Sequence, residues 1–197
     1  MNEEIKNIDA VIEDLENLLM IIQKKYKSIT NRRVVFSAMI IKKTKDILDA
    51  AKYAIKSYNM TIQISLLRLL CDNCLALEAA KLVGVDSYVD MIDENKRVSD
   101  IIVDEETEQN MSDNYLKKLV DKDYKGFSKL YNFACESVHF SKQAMSNAFF
   151  NDNGKINLNL DVGNKKLKDI MLSNNKQMII LSKVVKNMLF KLVVIEK

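Results

Sequence analysis

Residues 61–83 read TIQISLLRLLCDNCLALEAAKLV, and the apolar pattern of this segment indicates the fold class. Its apolar residues fall on nearly every side of a helix with 3.6 residues per turn, which predicts a helix at the centre of a fold. Gly84 follows at the position where a glycine commonly ends a helix. The chain of 197 residues has 4 glycines and no proline, whereas sandwiches, barrels and doubly wound sheets need turn residues at short intervals. We therefore expect an all-α protein.

The sequence on both sides of this helix predicts a single helical bundle of five to seven helices. Apolar residues recur in steps of three and four in the first and last segments, as they do in bundle helices. Thr30 or Asn31 can cap the second helix, and Ser112 a later one. Asn153-Gly154 is a turn signal. The expected parts of this one domain, residues 1–197, are a long helical hairpin over 3–58, a central part over 60–148 with helices near 87–95 and 127–148, at most one short β-hairpin near 149–161, and a C-terminal helix over 166–195.

Composition limits the partners and the location of the protein. The net charge of +3 is too small to indicate nucleic-acid binding by itself. The cysteines are odd in number and the first residues form no signal peptide, so we expect reduced thiols and a cytoplasmic protein. No apolar run is long enough to span a membrane, and the last helix is interrupted by Lys183, Lys186 and Lys191. Exposed heptad seams predict a homodimer, and no motif indicates a cofactor.

The one histidine of the chain, His139, is the centre of the first candidate site. In a helix, Glu136 and Cys135 would lie one turn before it, and Ser137 would stack with Ser141. Carboxylate, imidazole and hydroxyl groups are the types that transfer protons near neutral pH. Structural hydrogen-bond networks collect the same groups, so a half-buried histidine with a purely structural role is the alternative.

Arg68 and Asp72, four residues apart on the apolar third helix, form the second candidate site. An unpaired charge in such a helix would cost several kcal/mol, on the order of the penalty for a buried ion. We therefore predict that they pair with each other or with polar groups of the His139 helix. On that helix, the hydrogen-bond acceptors for Arg68 within about two turns of His139 are Tyr131, Ser137 and Glu136. The pair is equally compatible with a functional and a structural role.

Two weaker patterns remain. Cys71 and Cys74, with Cys135 and His139, are formally a zinc set, but a Cys-x-x-Cys in the middle of a helix favours simple packing of thiols, so we expect no metal. A basic stretch joins the first two helices and could contact phosphates, although a lysine-rich face is more often only solvated. Its candidate nucleic-acid-binding residues are Lys24, Lys25, Lys27, Arg32 and Arg33.

Four short motifs occur between about residues 60 and 145. They are Ser65-Leu-Leu-Arg68, Lys96-Arg-Val-Ser-Asp100, Tyr115-Leu116 and Tyr131 followed by Ser137-x-His139-x-Ser141. With these motifs the chain resembles a group of uncharacterised bacterial helical proteins. That group is similar in outline to the HEPN superfamily of helical bundles, many of which are RNA-cutting toxins or phage-defence effectors.

The resemblance implies a site built from Arg68, Tyr131, Ser137, His139 and Ser141. The HEPN signature itself has an arginine shortly before the histidine, and this chain departs from it, since Asn132, Phe133 and Ala134 occupy those positions. Arg68 can supply the missing charge only if its helix packs against the His139 helix.

Two functions therefore stay open. One is an RNA-directed or toxin-like protein of HEPN outline, with Arg68 and His139 as its candidate catalytic residues. The supporting residues of that site are Asp72, Tyr131, Glu136, Ser137 and Ser141. The other is a non-catalytic helical interaction module in which the same polar cluster only fixes helix packing.

Overall fold

Seven helices account for most of the residues that the structure, a computed structural model, describes. These residues are 2–104, 109–138, 149–152, 155–158 and 165–195. The helices are α1 (Asn2–Tyr26), α2 (Arg32–Lys56), α3 (Met60–Val83), α4 (Val85–Asp93), α5 (Asp113–Asp123), α6 (Phe127–Val138) and α7 (Lys165–Phe190). The strands form two antiparallel pairs, β1 (Ile102–Asp104) with β2 (Gln109–Asn110) and β3 (Phe149–Asp152) with β4 (Lys155–Leu158). The predicted all-α class is confirmed.

Helix α3 lies at the centre of this arrangement. It packs against α2, α4, α5, α6 and α7, and residues such as Leu67 and Leu70 are completely buried. Each such leucine contributes about 1.5–3 kcal/mol through removal of its side chain from water. The helix is not covered on every side, however, because Leu69 is 41% exposed. The side of α3 that carries Arg68 and Leu69 therefore reaches the surface, which the apolar sequence pattern does not indicate.

Helices α1 and α2 form the predicted long hairpin at the start of the chain. Asn31 caps α2, since its side chain accepts a hydrogen bond of 2.9 Å from the backbone N–H of Arg33. Both helices contribute residues to the core, among them Leu15, Ile22 and Leu48, which are completely buried. Because α1 and α2 pack against each other and α2 also packs against α3, the hairpin covers one flank of the central helix.

The segment between α3 and α5 contains a glycine turn into α4 and the short β1–β2 pair. Gly84 has a φ of +86°, a conformation that favours glycine, and it joins α3 directly to α4. Ser112 caps α5 as expected, accepting from the N–H of Tyr115 at 3.3 Å. The β1–β2 pair between them was not predicted. Met111, which is 1% exposed, directly follows β2 and anchors this pair in the core.

The second β-pair agrees with the predicted hairpin, and the helix expected over 127–148 is described only in its first part. Strands β3 and β4 pair in register from Phe149 opposite Leu158 to Asp152 opposite Lys155, which agrees with the predicted short hairpin. The helix expected over 127–148 is described as α6 up to Val138. Its expected remainder, residues 139–148, lies outside the described residues.

Helix α7 continues into a π-helical turn over Lys191–Ile195 rather than ending as a regular α-helix. The carbonyl oxygens of this turn are used by α1. Lys25 donates to the carbonyls of Val193 and Val194 at 3.1 and 2.7 Å, and the Tyr26 hydroxyl donates to that of Val193 at 2.8 Å. These bonds hold the end of the first helix against the end of the last described one.

By length and composition α3 would be able to cross a membrane. In the described part of the chain, however, 56% of its apolar window is buried inside the bundle. A central helix of this kind is compatible with a soluble protein.

Candidate functional site

Arg68 is the centre of a polar cluster where α3, α5 and α6 meet. Its side chain is 21% exposed, because it projects from the partly open side of α3. The Arg68 Nε donates to Cys135 Sγ at 2.9 Å, and Nη2 donates to the Tyr131 hydroxyl at 2.6 Å. The guanidinium carbon also lies 4.3 Å from the centre of the Tyr131 ring. Arg68 thus joins α3 to α6 by two hydrogen bonds and a cation–π contact.

Two carboxylates balance the charge of Arg68. Asp72, one turn further along α3, forms an ion pair with Nη1, as the i,i+4 spacing predicts. Asp113, in the first turn of α5, lies 3.3 Å from Nη2. The prediction that Arg68 pairs with Asp72 or with polar groups of the later helix is confirmed, since it does both.

Tyr131 is held between the arginine and the second carboxylate. Its hydroxyl accepts from Arg68 and donates to Asp113 Oδ2 at 2.7 Å. Burial, reinforced by the hydrogen bond to Asp113, raises the pKa of Tyr131 far above its usual range, although the positive charge of Arg68 opposes this. The phenol therefore stays protonated at neutral pH and serves as a fixed hydrogen-bond donor.

The electric field of Arg68 reaches Lys43 on the neighbouring helix α2 and Cys71 on α3 itself. Burial, together with the nearby positive charge of Arg68, lowers the pKa of Lys43 on α2. Burial raises the pKa of the Cys71 thiol to about 12, even though Arg68 acts in the opposite direction. Lys117 of α5 lies 5.5 Å from the centre of the Tyr131 ring and donates to Asn132 Oδ1 at 2.8 Å. The cluster therefore has further cations around its one arginine.

The remaining predicted residues of the first site are only partly described. Glu136 is exposed and Ser137 is half-buried on α6. The Ser137 hydroxyl oxygen is buried and has no hydrogen-bond partner among the described residues. His139 and Ser141 lie outside the described residues, so their roles stay predictions.

Sequence reasoning missed Asp113 and Lys117. Asp113 lies 45 positions from Arg68, and its place in the first turn of α5 looks like that of an ordinary helix-start carboxylate. The sequence indicates Cys135 only as a thiol near His139 and as a member of the formal zinc set, whereas the structure makes it an acceptor for Arg68. The spacing along the chain gave no signal for any of these contacts, because each depends on how α3, α5 and α6 pack.

The basic stretch does not gather as one free patch. Arg32 pairs with Asp90 of α4, Arg33 donates to the Tyr26 hydroxyl at 3.2 Å, and Lys25 caps the π-helical turn. Lys24 and Lys27 are exposed beside them. Several of these charges thus help to hold the bundle together, and their contact with nucleic acid stays a prediction.

The thiols of α3 lie in the core. Cys71 and Cys74 are both completely buried, and burial raises the pKa of each. Within the described part of the chain, no group of three or more His, Cys, Asp or Glu side chains is arranged to hold a metal ion. The fourth member of the formal zinc set, His139, is outside that part.

The arrangement around Arg68 can bind an anion and can fix the packing of α3, α5 and α6. No family model, curated protein or solved structure matches the chain.

Proposed function

We propose that this is an RNA-directed protein of HEPN outline, of the toxin or phage-defence type, acting in the bacterial cytoplasm with Arg68 and His139 at its site. The observation that carries the proposal is the double hydrogen bond from Arg68 to Tyr131 and Cys135 of α6. His139 comes four residues after Cys135 in the sequence, the spacing of one helical turn. In this proposal Arg68, on α3, takes the place of the arginine that the HEPN pattern has near its histidine.

These residue types suit cleavage of RNA without a metal. The 2′-hydroxyl oxygen attacks the phosphorus, its proton passes to His139, and the bond from phosphorus to the 5′-oxygen breaks. The 5′-oxygen takes a proton from the imidazolium, which leaves a 2′,3′-cyclic phosphate and a 5′-hydroxyl. Arg68 stabilises the charge that develops on the phosphate oxygens. Two exposed lysines, Lys24 in the last turn of α1 and Lys27 just after it, contact phosphates further along the strand.

Arg68 must exchange one partner to bind a phosphate. Asp113 is 62% exposed and Asp72 is 34% exposed, so Asp113 is the carboxylate that an incoming anion displaces more readily. A surface pair of this kind is worth only about 0–1 kcal/mol. Binding of a phosphate can offset that loss, since a bidentate arginine–phosphate contact is a strong charge-assisted interaction.

A second candidate function is a non-catalytic helical interaction module. The observation that favours it is that Arg68 already has Asp72, Asp113, Tyr131 and Cys135 as partners. In this role the cluster fixes the packing of α3, α5 and α6, and binding takes place on another face. For both functions we also propose that the protein is a homodimer. A monomeric mass measured by light scattering would contradict the homodimer.

The histidine separates the two functions. If the site cleaves RNA, His139→Ala abolishes cleavage or toxicity and leaves the melting temperature unchanged. If the cluster is structural, His139→Ala lowers stability by about 1–3 kcal/mol through unpaired neighbours and changes nothing else. The measurement is a thermal melt paired with an RNA-degradation assay, and absence of cleavage by the wild-type protein would refute the catalytic function.

Asp113 offers a second, independent test. Asp113→Asn removes the carboxylate that competes with a phosphate for Arg68, so RNA affinity should rise by about threefold or more. The control is Asp93→Asn, which removes the same charge from an exposed position at the end of α4. Equal RNA affinity of the two variants, measured at one salt concentration, would contradict a phosphate site at Arg68.

A further inference from the structure

A groove of about 720 Å³ runs between α6 and α7. Both helices pack against α3, which leaves this space between them. Its volume falls within the range of about 300–1,000 Å³ that is usual for small-molecule sites. The residues of the Arg68 cluster do not line it. Helix α6 therefore directs Tyr131 and Cys135 toward α3 and other side chains toward a separate cavity.

The groove has apolar walls and a basic rim. Phe127, Leu130 and Phe133 line it from α6, and Ile180 lines it from α7. Ile180 is 55% exposed although it is apolar. Lys125 and Lys129 are exposed and also belong to the lining, and no Asp or Glu is among its described lining residues. Apolar walls with two cations at the rim suit a ligand with an apolar body and an anionic end.

The two ends of the groove differ. Asn187 donates to the Tyr124 hydroxyl at 3.1 Å, which brings the start of α6 to the C-terminal half of α7. From this end the groove is lined by later residues of α6, up to Phe133, and by earlier residues of α7, from Val184 down to Ile170. Helices α6 and α7 are therefore antiparallel along the groove. Lys125 follows Tyr124 directly, and Lys129 lies in the first turn of α6. Both lysines are therefore at the Val184 end of the groove, away from Ile170.

A buried amide without a partner lies toward the other end. Asn174 lines the groove and is 4% exposed. Its Nδ2 has no hydrogen-bond acceptor among the described residues. Buried polar groups are normally paired, so this donor calls for an acceptor. Ten residues of α7 separate Asn174 from Val184, a distance of about 15 Å along the helix.

We propose that the groove binds an apolar organic carboxylate, with its carboxylate at Lys125 and Lys129 and its chain between α6 and α7. An oxygen at the far end of the chain accepts a hydrogen bond from Asn174, whose amide turns toward the groove to meet it. An extended twelve-carbon chain has about the length that separates the two ends. Dodecanoate and 12-hydroxydodecanoate are therefore suitable probes, and the hydroxylated acid should bind more tightly.

Calorimetric titration of the full chain tests the site. Dodecanoate should bind and dodecylamine should not, because the amine carries the wrong charge for the rim. The double variant Lys125→Glu, Lys129→Glu should weaken dodecanoate binding about tenfold or more, whereas Lys118→Glu, Lys122→Glu, with the same change of charge on α5, should change it less than about twofold. Equal binding of acid and amine, or equal affinity of the two double variants, would overturn the proposal.

Two further variants test the cavity and the amide. Ile180→Trp fills the groove from an exposed position and should abolish binding, while Met39→Trp, at an exposed position of α2, should not. Asn174→Leu should remove the advantage of 12-hydroxydodecanoate over dodecanoate and leave dodecanoate binding in place. Dodecanoate binding that survives Ile180→Trp would overturn the site, and an unchanged advantage in Asn174→Leu would overturn the role given to the amide.

Discussion

Replacement of Arg68 by alanine is the most direct test of the polar cluster. The substitution leaves Tyr131, Asp72 and Cys135 in place and removes the one group that joins them. Because the arginine connects α3 to α6, the loss weakens the packing of two helices and not only a surface contact. We expect a folded but clearly less stable protein.

The magnitude follows from the contacts. A hydrogen bond from a charged donor to the Tyr131 hydroxyl contributes about 1.5–3 kcal/mol, and the cation–π contact about 0.5–2 kcal/mol. The pair with Asp113 adds little because that side chain is 62% exposed. Contacts of one side chain overlap and are not additive, so we expect Arg68→Ala to cost about 3 kcal/mol. In a chain of this size that lowers the melting temperature by about 6–12 °C.

Urea and thermal unfolding of a matched set of variants provides the measurement. Arg68→Lys keeps the charge but loses the planar stacking and the Cys135 contact, so it should fall between the wild type and Arg68→Ala. Arg33→Ala is the control, since Arg33 also reaches a tyrosine hydroxyl at 3.2 Å but its guanidinium carbon lies 5.9 Å from that ring. It should cost less than about 1 kcal/mol. An unchanged melting temperature for Arg68→Ala would refute this account of the cluster.

Two further predictions concern the thiols of α3 and the start of α5. Burial raises the pKa of Cys71 from 9.0 to about 12 and raises that of Cys74 as well. As the pH rises, the thiols of the unfolded chain therefore lose their protons before those of the folded protein. The stabilisation that these thiols provide below pH 9 is lost as the pH rises toward 12. Cys71→Ala should make the fall of stability over that range shallower by about 1.4 kcal/mol per pH unit in urea titrations; equal slopes would contradict it. Ser112→Ala removes the cap of α5 and should cost about 1 kcal/mol in the same assay, whereas Ser99→Ala, at an exposed serine, should be neutral, and equal losses would argue against the cap.

The fold could be predicted from the sequence because its signals are local. Helix caps at Asn31 and Ser112 depend on residues two or three positions away, and the apolar pattern of α3 depends on neighbours within a few turns. The β1–β2 pair could not be predicted in this way. It is too short to show an alternating pattern, and the buried Met111 that anchors it looks like a loop residue in the sequence.

The candidate site could be predicted only in part, for the opposite reason. The Arg68–Asp72 pair follows from a spacing of four on one helix. Tyr131, 63 positions from Arg68, is among the acceptors that the sequence offers on the later helix. The contact to Cys135, 67 positions away, could not be chosen from the sequence, because it depends on how α3 and α6 pack side by side. The sequence also does not indicate which side of α3 is partly exposed, because Leu69 is apolar and yet exposed. Apolar composition alone does not tell which side of a central helix lacks a neighbour.

The position of the arginine gives the cluster a property that a local Arg–His pair on α6 would lack. A guanidinium on α6 itself would keep its distance from neighbouring residues of that helix whatever the other helices do. Arg68 reaches α6 from α3, so its distance to Tyr131 and Cys135 depends on the packing of the two helices. Any change that separates α3 from α6 therefore removes the cation from α6 and weakens the bundle at the same time. For this chain, stability and the proposed chemistry share one side chain, and the conservative variant Arg68→Lys, which keeps the charge but not the stacking, is the means to measure them apart.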